Sequence, residues 1–153
     1  MKRFFVLIKL LLIVLVLVVF GMLGCATTSA LTPLPEILNI INPDPSIGGI
    51  AKCSGIWKGR WDNTYFQATT VVLEKIDHSG VIAIYAWESY RGSPGGWIRV
   101  SGKIINGSTI VLEWGEKEGR RIVTLTLVGN ELKAEYRRVN EGYINYATLT
   151  KAR

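Results

Sequence analysis

The sequence predicts an all-β protein, built from Cys53 onward as an eight-stranded antiparallel up-and-down β-barrel. Side chains alternate with a period of two, as where Trp57 and Trp61 flank Lys58 and Arg60, and this is the period of a strand. Valine, isoleucine, threonine and aromatic residues dominate these runs, as strands prefer. Clusters of glycine, asparagine and aspartate interrupt them, which indicates turns.

Eight runs lie between the interruptions, near 55–61, 67–76, 80–88, 97–105, 108–114, 120–128, 131–137 and 143–150. Every connection is short, so consecutive strands should pair antiparallel. Asn106-Gly107 indicates a hairpin, because both residues tolerate a positive φ. An open meander leaves two exposed edges, and closure into a barrel removes both. An open β-sandwich is the alternative.

The first 24 residues have the pattern of a secretory signal. Two cations precede an apolar run over 4–20 that only Lys9 interrupts, and small residues then lead to Cys25. A membrane-spanning helix is the alternative. The charge-free stretch 10–23 is shorter than the roughly 20 residues of a bilayer span, so an uncleaved anchor would hold Lys9 near one interface.

The sequence Met22-Leu23-Gly24-Cys25 resembles the lipobox of bacterial lipoproteins. That resemblance implies that Cys25 becomes the first residue of the mature chain and carries a diacylglyceryl group and an amide-linked chain such as palmitate. One acyl chain holds a protein to a membrane only marginally, so stable anchoring needs at least two membrane attachments. Ala26, rather than aspartate, follows the cysteine, which in Gram-negative lipoproteins implies sorting to the outer membrane. We expect a lipid-anchored protein of the cell envelope, facing the periplasm or the cell surface.

The chain divides into a signal peptide (1–24), a lipidated cysteine with a Pro/Gly-rich tether (25–52) and a barrel domain (53–153). The apolar piece 37–41 of the tether is expected to make one helical turn or to lie along the domain surface. Loss of residues 1–24 lowers the net charge from +6 to +3, because three of the 18 cations are lost against 12 acids. This small net charge favours a solvated surface of mixed positive and negative charges over a nucleic-acid-binding site.

Gly55-Ile56-Trp57 resembles the Gly-x-Trp that opens lipocalins, avidins and related calycin barrels. The segments that resemble a calycin-like domain of secreted bacterial proteins are 55–62, 81–87 and 95–97, within a similarity that spans 55–150. The resemblance implies that Trp57 closes the bottom of the barrel against a basic residue late in the chain. Arg137 and Arg138 are the candidates for that residue.

Few residues suggest catalysis. His78 lies in the turn Asp77-His78-Ser79-Gly80, and neighbours in sequence do not make a catalytic triad, which requires convergence around a pocket. No pair of carboxylates suggests an acid and a base in one cleft, and no Cys/His spacing suggests a metal site. We therefore expect no enzyme activity, no cofactor and no metal. Cys53 is expected to be buried or shielded at the domain edge.

Aromatic residues are the better candidates for a site. They either fill the core, where each buries a large apolar area, or line an open mouth and stack on a flat ligand. The ligand-binding candidates are Trp57, Trp61, Tyr85, Trp87, Trp97, Arg99, Trp114, Tyr136 and Tyr146. Polar groups that could orient a ligand include Ser101, Asn145 and Thr148, although Trp97, Arg99, Ser101 and Lys103 share one face of a strand that could be its outer one.

Three functions remain open. The first is a membrane-tethered module whose barrel binds a small apolar or aromatic molecule. The second is an interaction protein or enzyme inhibitor that acts through its loops, chiefly 89–96 with Tyr90, Arg91 and Pro94. The third is a structural accessory of the envelope. The membrane, a small ligand or an envelope protein are thus the expected partners. A hollow barrel favours the first function, and a filled barrel with a protruding loop favours the second.

Overall fold

The computed structural model describes residues 32–63, 65–117 and 119–152, which form a closed antiparallel barrel of eight strands. The strands are β1 (Gly55–Arg60), β2 (Ala68–Asp77), β3 (Gly80–Trp87), β4 (Gly96–Ile105), β5 (Thr109–Trp114), β6 (Arg121–Val128), β7 (Glu131–Arg138) and β8 (Tyr143–Lys151). Each strand pairs with the next, and β8 pairs with β1. The predicted up-and-down barrel is confirmed, with every strand boundary within one residue of its expected place. The predicted signal peptide and Cys25 lie outside the described residues.

The barrel closes where β1 meets β8. Trp57 pairs with Lys151 and Lys58 with Thr150. Gly59 lies next to this seam, where a Cβ atom would come within 2.5 Å of the Thr148 carbonyl oxygen. Glycine is therefore the residue that lets the two strands approach closely enough to pair.

Aliphatic side chains fill the interior of the barrel over much of its height. They alternate with exposed or half-buried neighbours along strands such as β5 and β7, as the period of two requires, whereas most residues of β2 are buried on both faces. Fully buried members of this core are Leu73, Leu112, Leu125, Leu132 and Leu149. A core of this kind leaves room for a ligand only towards an end of the barrel.

A 3₁₀ helix, Pro45–Cys53, closes one end. Ile50 and Cys53 of this helix are buried in the core cluster. The Trp57 indole Nε1 donates a hydrogen bond to the Cys53 carbonyl oxygen at 2.6 Å. The cation next to its ring is the Lys151 ammonium, 5.5 Å from the ring centroid.

The expectation that Arg137 or Arg138 takes this place is wrong. β7 runs away from the closed end, so both arginines lie at its far end, whereas β8 returns and brings Lys151 to Trp57. A basic residue late in the chain does lie next to Trp57, but it is Lys151 of β8.

Residues 32–44, which we call the outer strap, run along the outer face of β2. The Ile41 backbone N–H donates to the Glu74 carbonyl oxygen at 2.7 Å, and the Thr32 and Thr70 hydroxyl oxygens are 2.5 Å apart. Outward-facing side chains of β2 and β3, such as Val72 and Ile84, are fully buried. The described part of the predicted tether is thus packed on the barrel, with 37–41 lying along its surface rather than forming a helical turn.

Candidate functional site

The end of the barrel opposite the 3₁₀ helix opens into a cavity of about 530 Å³. The connections from β1 to β2, from β3 to β4, from β5 to β6 and from β7 to β8 lie at this end. The volume lies within the range of roughly 300–1,000 Å³ that is typical of small-molecule sites. The interior is accordingly filled near the 3₁₀ helix and hollow at the mouth.

Three aromatic rings form the floor of the cavity. Trp61, Tyr85 and Tyr136 are each more than nine-tenths buried. The Tyr85 and Tyr136 rings lie 6.3 Å apart with their planes at 15°, and the Trp61 ring lies 5.7 Å from that of Tyr136. Burial raises the pKa of the Tyr85 phenol, and the nearby Tyr136 adds to this effect. The phenol is therefore uncharged at neutral pH.

Two tryptophans form the walls. The Trp114 ring lies 4.9 Å and the Trp87 ring 6.0 Å from Tyr85. Gly96, opposite Trp87 on β4, leaves the space that the indole occupies, because a Cβ there would lie 2.7 Å from the Trp87 Cζ2 atom. The Trp87 Nε1 donates to the Pro94 carbonyl oxygen at 3.3 Å. These contacts hold the walls in place, as a preformed aromatic site requires.

The rim carries polar and cationic side chains. Asn63, Gln67, Arg121, Arg138 and Asn145 line the cavity, and no carboxylate does so among the described residues. The Arg138 Nε donates to the Tyr136 hydroxyl at 3.3 Å, and its Nη1 donates to Glu141 at 3.0 Å. These two contacts raise the pKa of Arg138, the Tyr136 hydrogen bond most. The mouth is thus aromatic and positively charged.

Two loops meet beside the mouth in a small aromatic cluster, which we call the loop cluster: Tyr65, Tyr90 and Arg91. The two tyrosine rings lie 4.3 Å apart, and the Arg91 guanidinium lies 4.8 Å from the Tyr65 ring centroid and 5.3 Å from that of Tyr90. Tyr90 and Ser93 exchange two backbone hydrogen bonds of 2.8 Å. Tyr90 also lines the cavity, whereas Arg91 does not.

The structure divides the predicted ligand-binding residues into two groups. Those that line the cavity are Trp61, Tyr85, Trp87, Trp114 and Tyr136. Trp57 lies at the closed end, and Trp97, Arg99 and Tyr146 lie on the outer surface. The polar face of β4 is therefore its outer one, and of the suggested polar groups Asn145 alone lines the cavity.

The predicted ligand-binding residues do not include Asn63, Gln67, Arg121, Arg138 and Tyr143, all of which line the cavity. Alternation of side chains along a strand could have identified three of them. Arg138 lies two residues after Tyr136 on β7, Arg121 lies two before the core residue Val123, and Tyr143 lies two before Asn145. Each pair shares a face, because side chains alternate along a strand. Asn63 and Gln67 come from a loop, where parity carries no information.

His78 lies in an exposed turn, as expected, and its Nε2 atom is 3.1 Å from the Ser46 hydroxyl. Cys53 is buried, also as expected, and burial raises the pKa of its thiol to about 11 against the opposing effect of Lys151. Within 32–63, 65–117 and 119–152, no three His, Cys, Asp or Glu side chains cluster as metal ligands would. In the same ranges, no helix has the length and apolar character that crossing a membrane requires.

Compared with family models, curated proteins and solved structures, the chain shows no significant match to any of them. The eight-stranded antiparallel barrel is compatible with a calycin-like fold.

Proposed function

We propose that this protein is a lipid-anchored module of the bacterial cell envelope whose calycin-like barrel binds a small aromatic molecule at its open end. The anchor is the acylated Cys25, which the lipobox-like sequence supports. The barrel is the binding part, and its activity is retention of a ligand rather than chemical conversion.

The observation that carries this proposal is the aromatic cavity. Five aromatic side chains from three strands and the end of β1 face one volume of about 530 Å³. Aromatic rings that only filled a core would close that volume, since interiors pack without voids much larger than a water molecule. Here they instead surround space that is large enough for a ligand of two fused rings.

A second function is favoured by the loop cluster. Tyr65 is 43% exposed and its neighbour Phe66 is 61% exposed, and loops on a rigid scaffold often carry recognition. Tyrosine and arginine are enriched among interface hot spots. In this alternative the loops bind an envelope protein or block an enzyme, and the cavity is incidental.

The decisive experiment titrates the full-length chain, in non-ionic detergent, with two soluble probes: naphthalene sulfonate and naphthalene sulfonamide. Binding in the cavity should quench tryptophan fluorescence saturably and raise the melting temperature, because a ligand that binds only the folded state stabilises it. Trp114→Leu should weaken binding, since Trp114 forms a wall. Micelles without protein give the blank.

Trp97→Leu is the matched control, because Trp97 lies on the outer surface of β4 and should leave probe binding unchanged. Arg91→Ala separates the two functions, since Arg91 belongs to the loop cluster but does not line the cavity. Probe binding that survives Arg91→Ala and is lost in Trp114→Leu supports the cavity. Folded protein that binds neither probe overturns the proposal.

A further inference from the structure

The two arginines of the rim lie directly opposite each other on neighbouring strands. In the register of the sheet, Arg121 of β6 pairs with Arg138 of β7. On either side of this pair the row continues with Trp114 of β5 and Tyr143 of β8. Like charges directly opposite in a sheet destabilise it. An inward-facing pair of cations in an aromatic mouth therefore has a cost that an anion between them would remove.

The acids near the rim do not fully neutralise this pair. Glu141 pairs with Arg138 from an exposed turn, and its carboxylate does not line the cavity. Arg121 makes no ion pair with any residue of the described ranges, and its Nη1 donates to the Gly119 carbonyl oxygen at 3.2 Å. At least one guanidinium charge thus faces the cavity with no acidic partner among the described residues.

The neighbouring arginines in the sequence show the opposite pattern. Arg120 pairs with Glu113 at 2.6 Å, and Arg137 pairs with Glu135, both on the outer surface. Each outward arginine therefore has an acid on its own face, whereas no acid of the described ranges lines the cavity beside the inward pair. Among the described residues, the arginine without an ion pair at these two strand ends is thus Arg121, which faces the mouth.

We propose that the ligand of this cavity is an aromatic anion, whose carboxylate, sulfonate or phosphate lies between Arg121 and Arg138 while its ring packs on Tyr85 and Trp114. This inference deepens the proposed function and rests on it. Guanidinium groups suit such anions because their planar donors match two oxygens at once. The ring supplies burial in the aromatic pocket, and the charge supplies orientation.

The test uses the same full-length chain and probes, because naphthalene sulfonate and naphthalene sulfonamide have nearly the same size and differ in charge. We expect the sulfonate to bind the wild-type protein at least tenfold more tightly. Arg121→Gln and Arg138→Gln should each weaken sulfonate binding about 10-fold to 100-fold, the scale of a charge-assisted hydrogen bond. Neither variant should weaken sulfonamide binding by more than about twofold.

Arg120→Gln and Arg137→Gln are the matched controls, since each removes one charge from the outer surface beside the same strand ends. Both should leave sulfonate binding unchanged. Equal affinity for the two probes, or equal losses in the inner and outer variants, overturns the anion inference while the cavity remains a binding site. Binding of neither probe overturns the proposed function itself. A titration with inorganic phosphate alone should show no saturation, because the ring contributes most of the affinity.

Discussion

Trp57 is a single buried residue that links the first strand of the barrel to the 3₁₀ helix at its closed end. Alternation with Lys58 predicts that Trp57 faces inward, and it is 2% exposed in the structure. Its indole N–H is satisfied by the Cys53 carbonyl, so a large polar-tipped side chain is buried without an unpaired donor. The side chain thereby joins β1 to the 3₁₀ helix and closes that end.

Trp57→Ala should lower the free energy of unfolding by about 3–5 kcal/mol, through lost burial and the cavity that remains. A domain of this size has roughly 5–15 kcal/mol in total, so the variant should unfold at much lower urea concentration. Lys58→Ala, on the exposed face of the same strand, should change the midpoint little. Similar small shifts in both variants would contradict the half-buried strand.

At the scale of elements, the outer strap is fastened to β2 at a β-bulge. Register along β2 and β3 shifts between Leu73 and Lys75, which makes Glu74 the additional residue. A bulge leaves one residue out of the ladder, and the Glu74 carbonyl bonds to the strap instead. The Glu74 carboxylate accepts bonds from the Asn39 N–H at 3.0 Å and from the Arg99 Nε at 2.8 Å. Burial of this carboxylate is tolerated because each of its oxygens has a donor.

The hydrogen bond from Arg99 lowers the pKa of Glu74, with the Asn39 bond adding to it against the effect of burial. In the unfolded chain a glutamate has a pKa near 4.3, and in the folded protein the pKa of Glu74 is lower. The ionised carboxylate therefore stabilises the fold above the unfolded pKa. This stabilisation is lost as the pH falls through the folded pKa. Glu74→Gln should therefore lower stability by about 1–2 kcal/mol at pH 7 and flatten the loss of stability below pH 5. Urea denaturation at several pH values measures both effects.

Glu113→Gln is the control for that experiment. Glu113 also pairs with an arginine, but on the exposed outer surface, where water screens the interaction. Glu113→Gln should leave the urea midpoint at pH 7 close to that of the wild type. An equal effect of the two substitutions would show that Glu74 does not fasten the strap.

For the whole molecule, the strap changes how the proposed anchor holds the barrel. Residues 25–52 were predicted to be a tether, but from Thr32 onward the described chain lies on the barrel. The chain from Cys25 to Thr32 can span at most about 25 Å when fully extended. An acylated Cys25 would therefore keep the barrel close to the membrane surface.

Cys25→Ser should abolish incorporation of labelled palmitate and leave an unprocessed or mislocalised precursor, because the proposed anchor requires acylation at this thiol. Fractionation of cell envelopes and mobility in gels measure both outcomes. Cys53→Ala is the control, since the buried Cys53 thiol takes no part in anchoring and the variant should retain label and location. Label that persists in Cys25→Ser would contradict the lipobox interpretation.

The sequence by itself determined the eight antiparallel strands, because alternation and turn chemistry are local properties, whereas the choice of a barrel over an open sandwich was decided by the long-range pairing of β1 with β8. Asn106 and Gly107 both have positive φ in the hairpin between β4 and β5, as their residue types predict. Alternation with charged neighbours likewise predicts that Trp61 and Tyr136 face inward, whereas the uniformly apolar run of β3 does not decide the side of Tyr85. Tertiary structure alone decided which inward positions lie at the open end, because this depends on strand direction and register across the whole sheet. Hence Arg121 and Arg138 lie side by side on two strands, and the strap covers a face of β2 that alternation predicts to be exposed.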